Sequence, residues 1–193
     1  MSKKNLIIAF LGPDGSGKSS LINLLRKNIS KKKINFKLFH LTPHFIEGKK
    51  KMIVTNPHAK KPRSKFLSFV KIILWLVKYQ FFIFINYFKK YKIIIFDRYA
   101  HDIIVDPLRY RFNLNKKLTN YILNFFPKPD LWVIMINKPS IIWKRKQEVK
   151  YNVLITQLKL YKQFSNKYPN CIICKDLKDI NKVIKYISYL NAK

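Results

Sequence analysis

Residues 12–19 read Gly-Pro-Asp-Gly-Ser-Gly-Lys-Ser, a full match to G-x-x-x-x-G-K-[S/T], and the rest of the chain is placed outward from there. An apolar run, Asn5 to Leu11, precedes the stretch, and a helical pattern, Lys18 to Ile29, follows it. That strand–loop–helix context gives the pattern its physical meaning. Gly12, Gly15 and Gly17 let backbone N–H groups turn inward around a polyphosphate, and the helix N-terminus adds donors and a favourable dipole. Pro13, Asp14, Ser16 and Ser20 complete the expected nucleotide-binding set. Lys18 is expected to bridge the β- and γ-phosphates of ATP, and the Ser19 hydroxyl to ligate Mg²⁺.

Beyond this loop, strand and helix signals alternate. Ile34 to His40 reads as extended and leads into an irregular stretch bearing Pro43, Pro57 and Pro62; a long helix follows near Ser64 to Lys89. Tyr91 to Phe96, Leu131 to Ile136 and Asn170 to Cys174 are further apolar strands. Continuous apolar strands separated by helices imply a parallel sheet covered on both faces, here a single α/β domain over residues 1–193. The helix from Phe66 to Phe88 is apolar enough to raise a membrane-spanning reading. Its polar residues Ser64, Ser68, Lys71, Lys78, Asn86 and Lys89 fall within a sector of roughly 80° at helical spacing, so it reads as a mostly buried helix with a narrow wet stripe. Its surplus apolar surface would be covered by the sheet and by a second subunit.

In 193 residues there are 40 Lys and Arg against 9 Asp and Glu, a formal net charge of +31. Such a balance ordinarily suggests nucleic acid or anionic lipid. Only six of the basic residues are Arg, however, and the Lys excess travels with Ile, Asn, Phe and Tyr, the mixture that AT-rich coding produces. The charge is therefore read as composition, with no specific nucleic-acid partner expected and membrane-surface contact kept as the less favoured alternative. Against that background scarce residues are informative. Arg98, Arg109, Arg111 and Arg145 are four of the six arginines, and they fall in the same two segments as Asp97, Asp102, Asp106 and Glu148. The opening MSKKNLIIAFLG runs straight into the loop without a cleavage-site pattern and reads as a first strand of an unprocessed, cytoplasmic protein. Cys171 and Cys174 lie three apart in a strand, hence on opposite faces, and are expected to be two core thiols.

The second chemical element is Ile-Ile-Ile-Phe-Asp-Arg-Tyr, residues 93–99. A buried strand delivers Asp97 to its carboxyl end beside the phosphate loop, a position suited to holding Mg²⁺ directly or through water. Arg98 offers a planar fork for a phosphate already on the acceptor. The bland alternative is a strand-end ion pair.

GPDGSGKSS near the N-terminus, DRY some eighty residues later and the basic RKQE segment (145–148) resemble the thymidylate kinase family of nucleoside-monophosphate kinases over nearly the whole chain. The resemblance implies a three-layer P-loop kinase fold with a five-stranded parallel sheet, ATP and Mg²⁺ as cosubstrates, and often a homodimer. It implies transfer of the γ-phosphoryl to a nucleoside monophosphate, dTMP first, with Lys18, Asp97, Arg98 and Arg145 as the catalytic set and Ser19 and Asp97 at the metal. It further implies that Asp14 contacts the acceptor region or orients catalytic groups, that residues 97–112 form the acceptor region, and that 141–151 form a mobile lid. Gly15 stands where the family can carry a loop arginine, leaving Arg145, supported by Lys144 and Lys146, as the transition-state cation.

The sequence also departs from that pattern. AHDIIVDPLRYRF follows the strand, placing His101, Asp102, Asp106, Arg109 and Arg111 together, and HLTPHF (40–45) stands where an acidic-arginine segment is usual. His101 and Asp102 are candidates for acceptor or metal-water contacts, with structural capping as the alternative. Arg109 and Arg111, two apart in an extended loop, would point to one side and bind an anion. A sugar or sugar-phosphate acceptor therefore stays open. A nucleotide switch is disfavoured, since NKPS at 137–140 puts Ser140 where guanine recognition by NKxD needs Asp.

Overall fold

The computed structural model describes residues 5–43, 58, 61–87 and 92–192. Five strands, β1 (Leu6–Leu11), β2 (Phe36–His40), β3 (Ile93–Asp97), β4 (Leu131–Met135) and β5 (Cys171–Cys174), form one sheet in the order β2-β3-β1-β4-β5. Every pairing is parallel. The three central strands are rich in Ile, Leu, Val and Phe and almost wholly buried, as a sheet covered on both faces requires.

Among the described residues six α-helices cover it: α1 (Lys18–Lys31), α2 (Lys65–Tyr87), α3 (Lys116–Leu123), α4 (Pro139–Arg145), α5 (Tyr151–Lys167) and α6 (Ile180–Ala192). Alternate residues of each strand enter different cores. Ile8, Phe10, Ile93, Ile95 and Val133 pack with Leu21 and Leu25 of α1 and Val183 of α6. Ala9, Leu11, Ile94, Phe96 and Trp132 pack with α2 and α5 through Tyr79, Phe82, Tyr161 and Phe164. Cys171 joins the second core and Cys174 the first, so the two thiols do face opposite ways, and burial pushes each up to about 12. Neither is a reactive thiolate at neutral pH.

The long helix forms as expected but is turned differently. Ser68, Ile72, Trp75, Tyr79 and Phe82, spaced 4, 3, 4 and 3, make its buried face. Ser68, placed on a wet stripe by periodicity, is fully buried and accepts the Asn113 N–H at 3.0 Å. Lys71 is half-buried and donates to the Tyr110 carbonyl. Ser68 and Lys71 thus flank the core, because an amide and a carbonyl from residues 110–113 supply their partners, while Ser64 and Lys78 of the same stripe are exposed. Asn86 and Lys89 lie outside what is described for side chains. The opposite side exposes Phe66, Leu67, Leu74, Val77, Phe81 and Phe84, and helix 65–85 is long and apolar enough, by length and composition, to cross a membrane.

Candidate active site

Parallel β1 and β4 stay paired to Leu11 and Ile134 at their carboxyl ends, and residues 12–17 connect β1 to α1 there. Gly12 adopts φ 139°, and a Cβ there would lie 2.5 Å from the Met135 carbonyl oxygen, so only glycine lets β1 leave the sheet this close to β4. Ser16 Oγ is buried without a hydrogen-bond partner. Lys18 folds back over the loop, its Nζ donating to the carbonyls of Gly12 (2.7 Å) and Pro13 (2.8 Å). Burial, with Arg98 adding to it and Asp14, Asp97 and Asp102 opposing, pushes the ammonium down to about 7. Lys18 is thus a buried residue, held by carbonyl dipoles and by Asp14 Oδ1 at 3.7 Å.

Asp14 is the hub of the site. Arg98 Nη2 donates to Oδ1, while Arg109 Nη2 (2.9 Å) and Lys146 Nζ (3.2 Å) reach Oδ2. Burial alone would raise its pKa; Arg98, Lys18, the Glu148 contact and Arg109 together hold it well below the usual carboxylate range. Glu148 closes the ring, accepting from Arg109 Nη1 (3.1 Å) and Lys146 Nζ (2.7 Å). One carboxylate of the phosphate loop therefore gathers cations from β3, from the 108–110 turn and from the 146–148 segment after α4.

Behind it lies a second, dry layer. Arg98 is 3% exposed and sits at φ 71°, its N–H on the Phe10 carbonyl, which carries its side chain back under the loop. Its other edge donates to Asp102 Oδ2. Asp102 is fully buried and also accepts the hydroxyls of Tyr110 and Tyr161, each at 2.6 Å. Asp102 therefore supports Arg98 and contacts no cleft. His101 is likewise fully buried, ringed by Tyr99, Phe126, Trp132, Phe164 and Tyr168, with neither ring nitrogen hydrogen-bonded. Burial, with Lys167 and Lys128 adding to it, pushes it down to about 3, so it is a neutral core ring. Both residues are corrected from ligand contacts to structural ones: the short 3-10 helix Ala100–Ile104 turns them inward.

The loop carrying Arg109 and Arg111 is not extended either. Leu108–Tyr110 is a 3-10 turn and Arg111 is left-handed at φ 52°. Asp106 anchors this turn, accepting the Arg109 N–H at 3.2 Å and facing His58 at 3.0 Å. Both arginines still line the cleft, Arg109 against Asp14 and Arg111 beyond it. Asp97 also lines it, with His40 Nδ1 3.7 Å from its carboxylate, and Ser19 and Ser20 open α1 toward it. Arg145 has no ion-pair partner among the described residues, and its Nη1 lies 3.9 Å from where a Cβ on Gly17 would sit.

The cleft is about 1500 Å³, beyond the roughly 300–1,000 Å³ of a single small-ligand site. It has two wings on either side of the phosphate loop. Strand order puts Asn137 and residues 175–178, after β4 and β5, on one side. On the other it puts His40, Leu41 and Asp97, after β2 and β3, with Lys71 and Trp75 of α2. Lys71, Trp75 and Tyr110 were not singled out as site residues by sequence; the available signal was a lysine interrupting an apolar helix. Of HLTPHF, His44 and Phe45 lie outside the described residues.

A phosphate loop closing the β1–α1 joint of a five-stranded all-parallel sheet defines a P-loop α/β fold. More particularly it is the thymidylate kinase-like fold. The thymidylate kinase of Candida albicans superposes with a TM-score of 0.62 at 18% identity, over 100% of this chain and 94% of that one. The thymidylate kinase of Ehrlichia chaffeensis gives 0.55 at 19%, over 95% and 98%. No protein-family model and no curated protein sequence matches the chain.

Proposed function

We propose that this chain transfers the γ-phosphoryl of ATP to a small phosphorylated acceptor, as a nucleoside-monophosphate kinase with dTMP the first acceptor to test. The observation that carries the reading is the convergence of Lys18, Arg98, Arg109 and Lys146 on the single carboxylate of Asp14, inside a cleft with room for two ligands. Four cations around one exchangeable anion form a seat for phosphate oxygens.

The residues fit the nucleotide. Lys18 is a buried ammonium whose present partners are mainly loop carbonyls, and Ser16 Oγ is unpartnered. A polyphosphate would take both. Among the described residues no cluster of three or more His, Cys, Asp or Glu could hold a metal alone. Ser19 and Asp97 fit Mg²⁺, which commonly takes one or two protein oxygens and completes its shell with phosphates and water. Bound there, the ion would neutralise charge on the phosphates. In the transfer, an anionic oxygen of the acceptor phosphate forms a bond to the γ-phosphorus as the bond to the bridging oxygen of ADP breaks; no proton need move. Lys18 spans the donor phosphates, Arg145 faces the transferring group from α4, and Arg98 and Arg109 exchange Asp14 for the acceptor phosphate. The carboxylate of Asp14 is then free to meet an acceptor hydroxyl. The Arg98 fork, saturated by Asp14 and Asp102, has only the Asp14 edge to give.

On the same reading the exposed apolar face of α2 is covered by a second copy of the chain, and the protein works in the cytoplasm, where its two free thiols stay reduced. The deciding experiment incubates the purified protein with ATP, Mg²⁺ and a panel of nucleoside monophosphates and sugar phosphates, following ADP and the phosphorylated product, with Lys18→Ala as blank. Transfer to dTMP or another nucleoside monophosphate is expected. A purified protein that binds ATP but phosphorylates no member of the panel would refute the reading.

A further inference from the structure

The charges along the cleft are unevenly paired. Around the phosphate loop every buried cation meets a carboxylate: Lys18 and Arg98 meet Asp14, and Arg109 meets Asp14 and Glu148. In the wing after β2 and β3 this stops. Lys71 has no carboxylate partner among the described residues; its Nζ donates to the Tyr110 carbonyl and lies 5.0 Å from the Trp75 ring centre. Arg111 spends Nε on the Lys61 carbonyl at 3.0 Å and leaves both terminal nitrogens without a partner among the described residues. Both side chains line the cleft.

The cost of this arrangement is visible. Burial, then Arg63 and Arg111, push Lys71 down to about 8. Arg111 is held in a left-handed conformation, uncommon for any residue but glycine, by its N–H on Leu108 and the Arg63 N–H on its own carbonyl. Strain and unpaired like charge in one place lower stability unless something outside the chain meets them. A neutral nucleobase does not, since it offers no charge to two cations.

We propose that the acceptor carries a second anionic group, phosphate or carboxylate, in addition to the phosphate that receives the phosphoryl, and that Lys71 and Arg111 bind it. This rests on the phosphoryl-transfer reading and narrows its acceptor class. The first phosphate lies with Arg98 and Arg109 at the loop; the second anion lies farther along the same wing, between α2 and the 108–111 turn. Trp75, packed edge-on against Tyr110 at 5.7 Å, forms the apolar wall between.

Matched acceptor pairs test it: dTMP against thymidine 3′,5′-bisphosphate for a second phosphate, and uridine 5′-monophosphate against orotidine 5′-monophosphate for a carboxylate. Binding is measured calorimetrically with the donor site saturated by a non-hydrolysable ATP analogue and Mg²⁺. In the wild type at least one second-anion compound should bind about tenfold or more tighter than its partner, and Lys71→Met and Arg111→Gln should each remove most of that advantage. Lys162→Gln, an exposed charge change on α5, should leave it in place, which separates a local site from attraction by the +31 charge. Equal binding within both pairs, no binding by either second-anion compound, or a preference unaffected by Lys71→Met and Arg111→Gln overturns the proposal. Phosphoryl transfer is read separately. Preferential binding without any transfer leaves the anion site standing and sinks the kinase reading, whereas transfer without preference does the reverse.

Discussion

Replacing Asp102 by Asn changes one buried atom and removes the carboxylate that, among the described residues, faces the inner edge of Arg98. Asp102 is fully buried and Arg98 is 3% exposed, so solvent cannot replace the lost carboxylate. The amide can keep most of the hydrogen bonds: its oxygen can still accept from Arg98 and Tyr110, and the Tyr161 hydroxyl can reverse to accept from the new NH₂. What remains is a buried guanidinium with Asp14 as its one counter-charge. Breaking one side of a buried ion pair costs ~3–5 kcal/mol. With Asp14 still in place the low end applies, about 3 kcal/mol, or a fall of ~6–12 °C in Tm for a chain of this size. Burial raises the Asp102 pKa, but Arg98 and the Tyr110 and Tyr161 hydroxyls outweigh it and bring the group below its ordinary 3.8. Its contribution is therefore complete above about pH 4 and lost only as the pH falls through the lower folded value, so the gap between wild type and Asp102→Asn should stay constant from pH 5 to 8. Urea unfolding followed by circular dichroism measures it. The double variant Arg98→Met with Asp102→Asn should recover part of the loss, because the orphaned charge is gone. A single variant within about 1 kcal/mol of wild type would refute the claim that Asp102 is the counter-ion under Arg98.

Lys18→Ala should reduce phosphoryl transfer by more than ~10²-fold without lowering Tm, because the ammonium it removes is already disfavoured by burial. In the wild type, calorimetry in buffers of different ionisation enthalpy should show proton uptake on ATP binding above about pH 7, since phosphates restore the charge on Lys18, and none well below it. Arg145→Ala should lower kcat by ~10³-fold while equilibrium ATP binding changes little, and unchanged kcat would pass the role to Arg109. Gly15→Arg should not rescue it: φ there is 79°, and a Cβ would meet the Ile142 carbonyl at 3.0 Å and Lys146 Cβ at 3.1 Å. A drop in Tm together with weaker acceptor binding is the expected result, and full rescue would contradict that packing. Val77→Glu on the exposed side of α2 should shift a dimer to monomer in sedimentation at unchanged Tm; an unaltered sedimentation profile would remove that face from any self-association.

The strands were legible because parallel sheets write themselves as unbroken apolar runs, and the loop because its glycines and lysine answer to one ligand geometry. The facing of α2 was not. Ser68 and Lys71 satisfy their polar groups on the Asn113 amide and the Tyr110 carbonyl, partners more than forty and about forty residues away. Periodicity records polarity, but whether water or a distant loop meets it is a tertiary fact. The same limit explains His101 and Asp102. A dipeptide of acid–base residues just after the strand that carries Asp97 looks chemical, and a five-residue 3-10 turn rotates both into the interior. Arg98 was read as a fork for an acceptor phosphate with a strand-end ion pair as the alternative, and its ion-pair partners Asp14 and Asp102 lie on either side in sequence, 84 and 4 residues away.

On the phosphoryl-transfer reading proposed above, the convergence on Asp14 also bears on how the protein would wait between turnovers. Four positive side chains assembled without an anion would repel one another and splay, and each encounter with substrate would begin by regathering them. A carboxylate belonging to the chain itself acts as a placeholder that never diffuses away. The idle site therefore keeps nearly its working shape whatever the nucleotide supply, and an arriving phosphate has only to trade places with a tethered one. Such an exchange weakens binding by whatever the tether was worth, which favours quick release of the product over tight capture.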